Sequence, residues 1–125
     1  MRFWQLLAVF LGGGLGSLGR YYLSLLITRK VETIFPLGTF TVNLVGCFLI
    51  GVFTEILIKY SPQPWLALLF ITGFCGGFTT FSSFSLENNL LLKNSEYLIS
   101  AVYTLMSIFW GFAFTFLGIY LVRKC

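Results

Sequence analysis

The chain has 125 residues, of which 58% are hydrophobic and 10% charged, with eight Lys and Arg against four acids. Its mean hydropathy is +0.92, whereas soluble domains carry about 25% charged residues. A water-soluble globule of this size would leave adhesive apolar patches over its surface, so the composition excludes one and indicates an integral membrane protein.

The same inventory limits the chemistry. There is no His, and the acids are Glu32, Glu55, Glu87 and Glu96, none in the middle of an apolar run. Imidazole relays and mid-membrane carboxylates, the usual machinery of proton-coupled pumping, are therefore missing. Cys47, Cys75 and Cys125 make no CxxC pair, and two of them lie in hydrophobic stretches, where a thiol behaves as a small apolar group. Neither a disulfide framework nor a zinc site is expected. No nucleophile with its base and no metal cluster can be assembled, so an enzyme is not expected either.

A helical crossing of the hydrocarbon layer takes about 20 apolar residues. The chain accommodates four: residues 3–28, 37–58, 65–92 and 97–122, an all-α, single-domain arrangement with polar turns at 29–36, 59–64 and 93–96. Ser61-Pro62-Gln63-Pro64 is the clearest break. The first apolar run follows Arg2 but extends well past the about 7 to 15 residues of a signal-peptide core and lacks a small-residue cleavage site, so it reads as a retained span.

In the first span, Gly14, Gly16 and Gly19 match G-x-G-x-x-G. A dinucleotide site needs a preceding strand and a βαβ unit, for which there is no room between membrane spans. Neither a nucleotide nor nucleic acid is an expected partner. Gly12 and Gly16, four residues apart, read as a close-packing face. Arg20 follows, either snorkelling to the interface or raising the positive potential at a pore mouth.

In the second span, Thr39, Asn43, Gly46, Cys47 and Thr54 share one face at about 100° per residue, opposite Phe40, Leu44 and Phe48. Asn43 is either interhelical glue or a neutral donor able to replace a water around an anion.

The third span carries Thr72-Gly73-Phe74-Cys75-Gly76-Gly77-Phe78-Thr79-Thr80-Phe81-Ser82-Ser83-Phe84-Ser85. Clustered glycines followed by clustered hydroxyls are expected to interrupt the helix near mid-membrane. Carbonyls freed there can coordinate a cation, and freed N–H groups can face an anion. The alternative is a kinked, tightly packed helix. Phe70, Phe74, Phe78, Phe81 and Phe84 would share one face of an unbroken helix. Phe81 and Phe84 lie beside hydroxyls, where their electropositive ring edges suit an anion path.

The fourth span repeats Ser100, Thr104, Ser107, Gly111, Thr115 and Gly118 on one face, with Tyr103 at its flank. That face is a packing seam, a hydroxyl track, or both.

Lys and Arg near span ends set orientation. With both termini on one side, that side carries Arg2, Lys59, Arg123 and Lys124, and the other Arg20, Arg29, Lys30 and Lys93. Four against four gives no bias. Insertion in both orientations, with opposite copies pairing as an antiparallel homodimer, is the expectation; the alternative is that one local signal fixes a single orientation.

Three blocks together resemble the Fluc (CrcB) fluoride channel family: Gly12-Gly13-Gly14-x-Gly16-Ser17-x-x-Arg20, Gly38-Thr39-x-x-Val42-Asn43-x-x-Gly46, and Gly73-Phe74-Cys75-Gly76-Gly77-x-Thr79-Thr80-Phe81-Ser82-x-Phe84. The fourth span matches only in its hydroxyl-rich character. The resemblance implies a dual-topology antiparallel dimer in the lipid of the bacterial inner membrane. It implies two pores for passive export of fluoride and a structural Na⁺ at the dimer centre. By position, the Na⁺ carbonyl ligands are Gly76 and Thr79, the pore phenylalanines Phe81 and Phe84, and the pore amide Asn43. The hydroxyl track is Thr80, Ser82, Tyr103 and Ser107, and the vestibule groups are Arg20 and Glu87. Gly111 departs from the pattern where a hydroxyl would extend the track. A small dual-topology exporter of cationic drugs also has four spans, but needs a membrane-embedded carboxylate that the first span lacks. A noncatalytic assembly subunit would have no use for the third-span break.

Overall fold

A computed structural model describes residues 2–60 and 63–125; the predicted turn at Ser61-Pro62 lies outside them. Helix α1 is Phe3–Lys30 and α2 is Leu37–Tyr60. The third span, Pro64–Lys93, is assembled from α3 (Pro64–Ala67), a π-helical stretch Leu68–Cys75, the single turn α4 (Gly76–Phe78) and α5 (Phe81–Lys93). Helix α6 is Tyr97–Lys124. All four spans are long and apolar enough to cross a membrane, and the described residues contain no strand. The protein is a multi-pass, all-helical membrane protein.

The helices end one or two residues beyond the predicted bounds. They run on through Arg29, Lys30, Lys59, Arg123 and Lys124, because cations suit the negative end of a helix and their long side chains reach the polar interface.

Large apolar side chains point outward, as in Phe3 (77% exposed) and Phe112 (78%), while Val42 and Tyr103 are fully buried. With lipid as the solvent, helices associate by close packing and hydrogen bonds rather than by hiding apolar surface. Two backbone approaches build the frame. A Cβ on Gly12 would strike the Leu69 carbonyl and one on Gly16 the Phe74 carbonyl, so α1 lies directly on the π-helical stretch. Between α2 and α6, a Cβ on Gly51 would strike the Thr115 carbonyl and one on Gly118 the Phe48 carbonyl. Thr115 Oγ1 also donates to the Cys47 carbonyl at 3.0 Å.

The predicted face of α6 therefore divides. Gly111, Thr115 and Gly118 belong to the seam with α2, while Ser100, Tyr103 and Thr104 bond to α5. Gly111 stands where a Cβ would come 3.5 Å from the Cys47 sulfur. The phenylalanine stripe divides as well. Phe74 and Phe78 stack at 5.6 Å above the break, with Phe53 against Phe70 and Phe74, whereas Phe81 and Phe84 pair at 5.7 Å below it. Phe40, predicted opposite the inward face, instead meets Phe35 and Tyr103, because the 31–36 turn folds Phe35 in over it.

Candidate functional site

The interruption lies at Thr79 and Thr80, which are extended (φ −82°, ψ 156°; φ −147°, ψ 119°), rather than at the glycines. Gly73, Gly76 and Gly77 stay helical. The clustered glycines serve closeness: a Cβ on Gly77 would strike the Gly13 carbonyl, and one on Gly73 would come 3.0 Å from the Val9 carbonyl. The hydroxyls make the break, since Thr and Ser side chains offer backbone groups a partner other than the helix. Thr79 Oγ1 donates back to the Cys75 carbonyl at 2.9 Å, and Thr80 Oγ1 caps α5 by accepting from the Ser83 N–H at 3.1 Å.

Asn43 spans the gap from α2. Its Oδ1 accepts from the Thr80 N–H at 2.8 Å and its Nδ2 donates to the Thr80 carbonyl at 3.1 Å. One carboxamide thus satisfies both peptide groups of a residue that has left the helix, which unpaired would cost several kcal/mol in lipid. Gly46, one turn along α2, makes room for this approach, because a Cβ there would strike the Thr79 methyl group.

The capping has an electrostatic consequence. In a continuous helix the Thr80 N–H would bond the Gly76 carbonyl, and the Ser83 N–H would bond the Thr79 carbonyl. Both donors are turned elsewhere, to Asn43 Oδ1 and Thr80 Oγ1. Gly76 and Thr79, the carbonyls that the family resemblance marks as cation ligands, are thus among those left without their helical donors. The next carbonyl, Gly77, accepts from Arg20 Nε at 3.2 Å. Arg20 is half-buried and bound to the break from the α1 side. At the start of α5 the Phe81 and Ser82 N–H groups have no intrahelical acceptor, and the positive helix end faces the break.

A cavity of about 330 Å³ opens beside it, walled by Asn43, Thr79, Thr80, Phe81, Phe84 and Ser107 together with Cys47, Cys75 and neighbouring apolar groups. No acidic or basic side chain lines it. Ser107 Oγ is buried there with no hydrogen-bond partner among the described residues. Phe81 is 79% exposed at the cavity mouth, and Ser82, exposed beside it, shares a hydroxyl contact with Thr80 at 3.2 Å.

Other predicted residues fall elsewhere. Tyr103 is fully buried, donating to Glu87 Oε1 at 2.8 Å and packing its ring 5.0 Å from Phe84. Thr39 Oγ1 donates to Glu87 Oε2 at 2.7 Å, so both carboxylate oxygens are occupied by hydroxyls. Asn88, absent from the sequence-based candidates, ties α5 to Ser100 and Thr104 on α6. Its signal was available: an amide in an apolar span, one helical turn beyond Phe84.

A family model for CrcB-like protein, Camphor Resistance (CrcB), matches residues 7–119. A relative from Gloeothece citriformis, "Fluoride-specific ion channel FluC", is 58% identical over 96% of this chain and 98% of its own length. Proteins of the same name from Flavobacterium psychrophilum (44% identical; 93% and 94% covered) and Azobacteroides pseudotrichonymphae (48%; 91% and 92%) are similar along nearly their full length. With its three motif blocks, its broken third span and a match from end to end, the chain belongs to the CrcB family.

Proposed function

We propose that this protein is a fluoride channel of the bacterial inner membrane, letting F⁻ leave the cytoplasm passively, and that it is not an enzyme. The observation that carries this reading is the cavity at the break, lined by an amide, hydroxyls, phenyl rings and other apolar groups with no acidic or basic side chain. Such a wall replaces water around a small anion without trapping it as a fixed cation would. The unpartnered Ser107 hydroxyl supplies a free donor inside it. Relatives that match nearly the whole chain carry the name of fluoride-specific channels, and the choice of fluoride among anions comes from them.

The working unit in this reading is an antiparallel homodimer of oppositely inserted copies. The balanced Lys and Arg count supports it, as does the exposed Ser82 beside the cavity mouth, which would otherwise face lipid at depth. The diverted hydrogen bonds at Gly76 and Thr79 leave two carbonyls suited to a hard monovalent cation. A Na⁺ held there would be coordinated by these carbonyls and would offset their partial negative charge.

The test is flux. Liposomes containing the purified protein should dissipate an F⁻ gradient quickly once K⁺ counterflow is permitted, with no pH gradient required, and should retain Cl⁻. Flux that strictly requires proton movement, or equal passage of Cl⁻, would overturn the reading.

A further inference from the structure

Helix α5 carries the two cavity phenylalanines yet has little packing to hold it. Leu91 is its one buried residue. No close glycine approach of the kind that joins α1 to the third span, or α2 to α6, fixes its height or rotation. Apart from the packing of Phe84 against Tyr103, its position relative to α6 depends on directional contacts.

Beside the Tyr103 hydroxyl on Glu87, Asn88 supplies two of them. Its Oδ1 accepts from Ser100 Oγ at 2.7 Å and from Thr104 Oγ1 at 3.2 Å, two hydroxyls one turn apart on α6. Its Nδ2 donates to the Phe84 carbonyl at 3.1 Å, one turn back along α5. The carboxamide is thus engaged at both ends, its oxygen on α6 and its nitrogen on the peptide that bears Phe84. α5 and α6 run antiparallel across the Asn94–Glu96 turn, so fixing residue 88 against 100 and 104 sets residue 84 near 107. Phe84 and Ser107 do share the cavity wall. A slip of one residue would move Phe84 about 1.5 Å along the helix and about 100° around it, taking its ring off that wall. Asn89 is the natural comparison: it is exposed, and its amide bonds only to the Ser85 carbonyl at 2.9 Å within its own helix.

We propose that Asn88 is a positioning residue for ion passage, acting through Ser100 and Thr104 to set the register of α5 and so hold Phe84 opposite Ser107. The proposal rests on the reading of the cavity as the fluoride path. It assigns conduction to an amide that never touches the ion, and it separates Asn88 from the adjacent Glu87, whose carboxylate takes hydroxyls from both Thr39 and Tyr103.

The experiment compares Asn88→Leu, which keeps the size and removes the bonds, with Ser100→Ala/Thr104→Val, which leaves Asn88 intact and strips its donors. Asn89→Leu is the control. Each variant is purified as the assembled protein, reconstituted at equal amounts and assayed for F⁻ efflux. A second set carries 4-fluorophenylalanine at position 84 for ¹⁹F NMR. Asn88→Leu and the α6 double variant should each lower flux per assembled protein about tenfold and shift or broaden the position-84 resonance. Their combination should be no worse than either alone, and Asn89→Leu should match the parent.

Unchanged flux and an unchanged resonance in assembled Asn88→Leu, with only thermal stability reduced, would overturn the proposal. If Asn88→Leu does not assemble, the α6 variant decides on the same two readouts. A parent protein that passes no F⁻ would overturn the channel reading instead, while the resonance would still decide whether Asn88 positions Phe84.

Discussion

Above the break, Gly73 and Gly77 bring the third span so near α1 that a Cβ at Gly77 would strike the Gly13 carbonyl. Below it, α5 buries Leu91 alone and is held by Asn43, Glu87 and Asn88 through hydrogen bonds to its cap and its neighbours. The first half is set by shape and tolerates no added volume. The second is set by direction, so it can be re-aimed without unfolding the frame. An ion path benefits from this division, since rigid backbone contact keeps the membrane domain together while a few polar groups decide where two phenyl rings stand.

The largest effect should come from adding volume above the break. Gly16→Val would drive a branched side chain into the Phe74 carbonyl. Overpacking without relief typically costs about 1–3 kcal/mol, and more against backbone. The expected outcome is loss of folded protein, seen as failure to recover a monodisperse species after solubilisation. Recovery of normal, fully active Gly16→Val would mean that the α1 contact is not a constraint.

Removing a bond at the break itself should be milder for the fold and severe for transport. Asn43→Ala strips both partners from the Thr80 peptide. A buried group left unpaired costs about 1–3 kcal/mol, concentrated on residues that wall the cavity rather than on the α1 or α6 seams. F⁻ efflux should fall about 100-fold, corresponding to roughly 2.7 kcal/mol, while helix content by circular dichroism and the assembled size stay as in the parent. Equal losses of assembly and flux would place Asn43 with the frame instead.

This contrast also explains what the sequence made legible. Span number and extent follow from hydropathy, and the small-residue faces from spacing, because close packing depends on size and size is written residue by residue. The break was foreseeable as a region but not as a position. The clustered glycines and hydroxyls marked the stretch, since glycine weakens helices and hydroxyls compete for backbone groups, yet Gly73 and Gly77 serve as points of contact with α1, and the helix ends only where Thr80 finds Asn43 from another span. Likewise, Ser100, Thr104 and Ser107 share one face of α6 by spacing. Two of them are taken by Asn88 and only Ser107 is left free, an outcome decided by a partner on α5 that no periodicity in α6 reveals. Position within a polar network is a property of pairs, and a single chain read in order supplies only one member at a time.

The smallest expected effect lies in the turn that joins the two directional elements. Ser95 has φ 62°, in the left-handed region, where a residue with a β-carbon is disfavoured by about 1–2 kcal/mol. The conformation persists because it closes α5: the Glu96 N–H reaches the Leu91 carbonyl at 2.8 Å and the Asn94 N–H the Leu90 carbonyl at 3.1 Å, which satisfies the last turn of the helix. Ser95→Gly relieves the steric cost while loosening the unfolded chain, so the net gain should be under about 1 kcal/mol. Thermal unfolding in detergent should shift upward by a degree or a few, with F⁻ flux unchanged. If the register of α5 against α6 is set at Asn88, seven residues before Ser95, easing the turn should not move Phe84. A change in flux with Ser95→Gly would show that the turn, and not the amide, aims the helix.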